Sequence, residues 1–318
     1  MGLTSLEVCA GAGGQALGLE QAGFKHLALC EIEAPARATL RLNRPRWNVL
    51  EGDQADIKTF DATPYAGVDL LAGGLPCPPF SVAGRQLGAK DERNLFGDFL
   101  RLVAECQPGA VFVENVRGFL DPSFAEFRAE MVAQFAALGY SIEWKLLNAS
   151  DFGVSQLRPR VAIVGFRNGA EAGFHWPEPN TKPPLTVGKL LQREMASLGW
   201  GGAKAWARKA DKIAPTLVGG SKKHGGPDLG PTRARQAWLA LGVEGRTLAD
   251  AAPAADFEGL PRLTVPMAAL VQGFPRTWTF TGRKTPAYRQ VGNAFPPPVA
   301  EAVGRQIAAA LIHAKATA

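Results

Sequence analysis

Cysteine and histidine are scarce in this chain of 318 residues, with four of each. The cysteines, Cys9, Cys30, Cys77 and Cys106, stand far apart, form no CxxC pair and have no histidine beside them. That excludes a disulfide framework and a zinc site of ordinary ligand spacing, and no metal is expected. Long apolar runs are missing too, so nothing reads as a membrane span. The opening residues lack the basic region and apolar stretch of a signal peptide, and a cytoplasmic protein is the expectation. Internal repeats are absent. What remains is an ordinary globular composition, 46% apolar and 20% charged.

Charge is distributed unevenly. Residues 1–167 carry 16 Lys and Arg against 19 Asp and Glu, whereas residues 168–318 carry 19 against 10. A basic half joined to a slightly acidic one suggests that one part meets a polyanion. The acidic half alternates short apolar runs, at 6–9, 27–30, 68–72, 110–113, 142–147 and 161–166, with amphipathic stretches at 15–22, 34–41, 94–106 and 124–138. Such alternation predicts an α/β fold with a doubly wound, largely parallel or mixed sheet. The pattern breaks near Arg167. Residues 168–261 are rich in Gly, Pro, Lys and Arg, show little periodicity, and carry Trp176, Trp200, Trp206 and Trp238. Four tryptophans need a surface to pack on, which predicts a small loop-rich domain over 168–261 instead of disorder. Helical patterning resumes over 262–318, so the first domain is expected to span 1–167 and the last segment to return to it.

One loop stands out. Gly73-Gly74-Leu75-Pro76-Cys77-Pro78-Pro79-Phe80-Ser81 directly follows an apolar run that reads as a buried parallel strand. Loops at the carboxyl ends of such strands are where open α/β sheets bind ligands. Three prolines stiffen the loop and hold the Cys77 thiol in a restricted position. A small buried hydrophobe in a turn is the other reading of a free cysteine.

The first strand runs into Ala10-Gly11-Ala12-Gly13-Gly14, where glycines let backbone turn sharply and approach a ligand. Glu31 ends the next strand, 20 residues after Gly11, a separation suited to the hydroxyls of a ribose. Asp53, at the end of a third candidate strand, can accept from an adenine amino group. Together they imply an adenosine-containing cofactor, and the glycine spacing differs from the GxGxxG of nicotinamide enzymes. The fourth strand ends in Glu114-Asn115-Val116, which places Glu114 in the same crevice as Cys77. A carboxyl group beside a thiolate retains a proton more readily, because a like charge and burial both disfavour its charged form. Arg158 and Arg160, flanking a proline before the sixth strand, can meet a carbonyl, a carboxylate or a phosphate.

In this order, these residues resemble the DNA (cytosine-5) methyltransferase family over nearly the whole chain. The likeness covers the glycine loop, Glu31, Asp53, Pro76-Cys77 with Phe80-Ser81, residues 91–96, Glu114-Asn115-Val116, Gln156 with Arg158 and Arg160, Arg262-Leu263-Thr264, and Gln290-Val291-Gly292-Asn293. It implies a Rossmann-like fold, S-adenosylmethionine as cofactor, 5-methylcytosine in double-stranded DNA as product, and residues 168–261 as target recognition domain. Cys77, Glu114, Arg158 and Arg160 are then the catalytic group. Cofactor contacts fall to Ala10, Gly11, Ala12, Gly13, Gly14, Glu31, Ile32, Asp53, Gln54, Pro76, Leu95, Asn293 and Ala294. DNA contacts fall to Ser81, Lys222, Lys223, Arg233 and Arg235. The resemblance further implies a nucleoid-associated monomer with a restriction endonuclease acting separately on the same site. Cys9, Ile32 and Pro78 depart from the family's usual aromatic, aromatic and glutamine. The same chemistry on transfer RNA, or a non-catalytic DNA-binding homologue, are the alternatives.

Overall fold

The computed structural model describes residues 2–75, 95–219 and 226–317. Cys77, Pro76, Ser81, Lys222 and Lys223 lie outside the described residues.

Six strands form one sheet: β1 (Thr4–Val8), β2 (Lys25–Cys30), β3 (Leu70–Gly73), β4 (Ala110–Val116), β5 (Tyr140–Asn148) and β6 (Pro159–Arg167). Their order is β2-β1-β3-β4-β6-β5. The first four pair in parallel, while β6 runs antiparallel to both β4 and β5, so the sheet is mixed. All six lie where the apolar runs predict them. Alternation along each strand feeds two faces. On β4, Val111 and Val113 face the helices α3 (Phe96–Cys106) and α4 (Ala125–Ala137), packing with Phe99, Leu102 and Phe135. Ala110 and Phe112 face the opposite side, where α10 (Pro297–Thr317) supplies Val299, Val303, Ile307 and Leu311. Both faces are covered, as a doubly wound sheet requires.

The third candidate strand is not formed. Val49 makes only an isolated parallel bridge to Leu29, and Gly52–Ala55 closes as a single 3-10 turn, with Gly52 at a φ of 57°. A left-handed glycine inside an exposed stretch ends pairing before a strand can develop.

Helix α1 (Gly14–Gln21) follows the glycine loop and lies against α10. The contact requires Gly18. A Cβ there would sit 2.4 Å from the Pro297 carbonyl oxygen and 2.5 Å from the Ala300 Cβ. Further helices are α2 (Ala34–Asn43), α5 (Val187–Met195), α6 (Ala203–Lys209), α7 (Thr232–Ala240), α8 (Val265–Val271) and α9 (Lys284–Asn293). Residues 187–248 share a core with residues 263–291: Leu191, Trp206 and Trp238 pack with Met267, Phe274 and Tyr288. Among the described residues, no helix is long and apolar enough to cross a membrane.

Candidate active site

The carboxyl ends of β1 to β4 open onto one crevice, and the chain reverses there sharply. Cys9, Gly11 and Gly13 take positive φ values of 51°, 55° and 86°, which turns the backbone from β1 into α1. Cys9 is the costly member, because it carries a Cβ in a region that favours glycine. Burial pushes its thiol well above the usual cysteine range, so it stays protonated.

Glu31 clasps this loop. Its Oε2 accepts from the Gly11 backbone N–H and its Oε1 from the Glu33 N–H, both at 2.7 Å. Burial raises the Glu31 carboxyl against the lowering effect of those two bonds. Each oxygen keeps a lone pair for a further donor. Beside it, Ile32 is 60% exposed, a large apolar side chain open to a planar ligand. Asp53 and Gln54 are exposed on the 3-10 turn, and Gln54 Oε1 accepts from the Asp61 N–H at 3.3 Å. Ala10, Ala12, Gly13 and Gly14 are buried, while Leu95 is half-buried at the start of α3.

Glu114 and Arg160 meet where β4 and β6 run side by side, the register setting Val116 opposite Arg160. Arg160 Nε lies 2.7 Å from Glu114 Oε1, with the side chains 15% and 13% exposed. The N–H is not aligned on the oxygen, so the contact is one of charges more than a directed hydrogen bond. Gly73 pairs with Val113 across the β3–β4 edge, and a Cβ on Gly74 would lie 3.8 Å from Glu114 Oε2. The carboxyl group therefore stands beside Gly74, three positions before Cys77 in the sequence.

Arg158, grouped with the catalytic residues by the resemblance, lies inside the protein. It is fully buried, and its guanidinium donates to the carbonyls of Leu217, Gly292 and Ala294 at 2.7, 2.7 and 3.1 Å. Asn293 is exposed and Ala294 half-buried at the end of α9. On α7, Arg233 is exposed, whereas Arg235 is half-buried with Nη2 3.4 Å from Thr232 Oγ1.

Two polar residues near the crevice escape a reading of motifs. Glu7 on β1 is fully buried, and neither carboxylate oxygen has a hydrogen-bond partner among the described residues. Burial pushes it well above the usual carboxylate range, and the nearby Ala16 backbone N–H offsets part of this without reaching hydrogen-bond geometry. Gln15, also buried, donates from Nε2 to the Phe112 carbonyl at 3.3 Å. An acid interrupting an apolar strand is a signal that could have singled out Glu7.

The comparisons with known proteins agree with one another. A family model, C-5 cytosine-specific DNA methylase, matches residues 3–309. The type II methyltransferase M.NgoMIV of Neisseria gonorrhoeae is 55% identical, covering 98% of this chain and 99% of its own. The type II methyltransferase M.NaeI of Lentzea aerocolonigenes is 53% identical over 97% of this chain and 75% of its own. Among solved structures, the S. pombe Dnmt2 methyltransferase superposes with a TM-score of 0.64 at 17% identity, covering 98% of this chain and 99% of that one, a likeness of fold. With the strand ends gathered as the ordered motifs require, the chain belongs to the C-5 cytosine-specific DNA methylase family and is a DNA cytosine-5 methyltransferase.

Proposed function

We propose that the protein methylates C5 of a cytosine flipped out of double-stranded DNA at a specific sequence, through a covalent bond between Cys77 and C6. The observation that carries this reading is the Glu114–Arg160 pair beside Gly74, at the same end of the parallel strands as the Glu31 clasp. Cytosine C5 is a weak nucleophile, and attack of a thiolate on C6 makes the adduct enamine-like at C5. The base must first leave the stack, at a cost of a few kcal/mol.

The residues fit S-adenosylmethionine. Glu31 has oxygen lone pairs free for ribose hydroxyls, Ile32 offers an apolar face to adenine, and Asp53 with Gln54 can take its amino group. Ala10 to Gly14, Pro76, Leu95, Asn293 and Ala294 would complete the site. When bound, this cofactor supplies an electrophilic methyl group, which C5 takes up.

Cys77 forms the S–C6 bond as Glu114 protonates N3 and holds the exocyclic amine. Arg160, with Nε beside Glu114 and Nη1 donating to the Pro159 carbonyl, brings its positive charge to O2, where negative charge develops. Water takes the C5 proton, the C–H electron pair expels the Cys77 thiolate from C6, and N3 returns its proton to Glu114. Residues 168–261 read the DNA, and the proposed contacts to backbone or bases are Lys222, Lys223, Arg233 and Arg235, with Ser81 from the first domain. Residues 1–167 form the catalytic domain and 262–318 return to it. The two relatives named as type II methyltransferases support pairing with a restriction endonuclease that acts on the same site; the protein acts as a monomer and forms no stable complex with it.

The test is covalent capture on duplex DNA containing 5-fluorocytosine, which blocks loss of the C5 substituent. A denaturation-resistant complex is expected for the wild type and none for Cys77→Ala. Capture through another side chain, or on RNA alone, would refute the proposal.

A further inference from the structure

Arg158 lies at a junction between two segments distant in sequence. Residues 214–217 run beside residues 155–158: Ala214 N–H donates to the Ser155 carbonyl at 2.8 Å, and Leu157 N–H to the Ala214 carbonyl at 2.7 Å. On the other side, α9 ends at Asn293 and presents carbonyls that no helical N–H can reach. The Arg158 fork spans the gap. Nη1 takes the Leu217 carbonyl, and Nη2 takes those of Gly292 and Ala294. A second route runs parallel to it. Leu217 N–H donates to Gln156 Oε1 at 2.7 Å, Gln156 Nε2 donates to Gln272 Oε1 at 2.8 Å, and Gln272 Nε2 donates to the Ala294 carbonyl. Gln156, Arg158 and Gln272 are all fully buried.

Beyond this clamp the two segments touch without side chains between them. A Cβ on Gly292 would lie 2.3 Å from the Gly219 nitrogen. One on Gly219 would lie 2.5 Å from Asn293 Oδ1 and 2.6 Å from the Arg289 carbonyl oxygen. Gly219 thus lies close against Asn293, with no room for a side chain of its own.

We infer that Arg158 is a positioning residue, which locks Leu217 to Gly219, inside the proposed target-recognition segment 168–261, onto the cofactor-side turn Gly292 to Ala294, so that DNA and cofactor sense one another through this junction. The inference rests on the proposed contact of Asn293 and Ala294 with the cofactor. A planar guanidinium suits three carbonyls on two segments, and a lysine, a single compact charge, does not. Displacement of 217–219 by DNA would press on Asn293, and by linkage a bound cofactor would favour the DNA-bound placement of 217–219.

The experiment measures the dissociation constant of S-adenosylhomocysteine for the full chain by calorimetry, with and without duplex DNA. The duplex carries the site found by base-resolution methylation sequencing of cells expressing the protein. For the wild type, DNA is expected to tighten binding by about fivefold or more. In Arg158→Lys and Gly219→Ala that factor falls toward one. Asn293→Ala weakens binding in both conditions. Should Arg158→Lys fail to fold, Gly219→Ala, which removes no buried polar group, decides alone. A wild-type factor of one overturns the inference, as does an unchanged factor in Gly219→Ala or in a folded Arg158→Lys that loses only turnover. If Asn293→Ala leaves affinity intact, the cofactor contact fails and takes the inference with it. A loss at Asn293 with the factor preserved in Gly219→Ala removes the inference alone.

Discussion

At the scale of single residues, burial decides what each ionisable group can do. Glu114 and Arg160 remain slightly open to the crevice, so their charges can be traded for contacts with a substrate. Glu114→Gln keeps the shape but removes both the proton and the charge opposite Arg160. Incorporation of tritiated methyl groups into DNA is expected to fall by about 10²–10⁴-fold, with DNA binding retained. Retained turnover would assign the proton to another group. Glu7 is the opposite case, a carboxyl sealed inside the sheet and pushed above its ordinary value by burial. Below the unfolded-state value both states hold the proton, and Glu7 contributes no slope. As pH rises the unfolded chain ionises first, so stability drains away until pH passes the raised folded value. Glu7→Gln should abolish that loss, its melting temperature gaining on the wild type from about pH 5 to about pH 8. Parallel melting curves over that range would mean that Glu7 is ionised and compensated.

At the scale of elements, close backbone approach is what returns the last helix to the first loop. Gly18→Ala places a methyl group against the Pro297 carbonyl and Ala300, and α1 and α10 must separate. A loss of about 1–3 kcal/mol is expected, read as a lower melting temperature. An unchanged melting temperature would show that the helices part freely. Elements also differ in how far the sequence reveals them. The six strands are legible because each is a short apolar run bounded by turn residues. The three helices between 187 and 240 are not, since stretches of 9, 7 and 9 residues offer about two turns in which a 3.6-residue period can register. The false strand before Asp53 fails for a related reason: apolar residues there pair once with β2, and a left-handed glycine stops the ladder.

For the whole molecule, the excess of Lys and Arg over residues 168–318 implies binding governed by phosphate neutralisation. DNA affinity, followed by fluorescence anisotropy, should fall by at least about tenfold from about 50 to about 200 mM salt, as several counterions are released. A flat response would remove the basic cleft from the account. The sequence by itself determined the family and the sheet, because motif order and apolar runs are local and survive without coordinates. The adjacency of Glu31 to the glycine loop and of Glu114 to Gly74, just after β3, was legible as well, since parallel strands deliver their carboxyl ends to one side. Tertiary structure alone decided which segments Arg158 joins. Its partners lie 59 and 134 residues away, and no local pattern specifies which distant carbonyls a buried guanidinium will find.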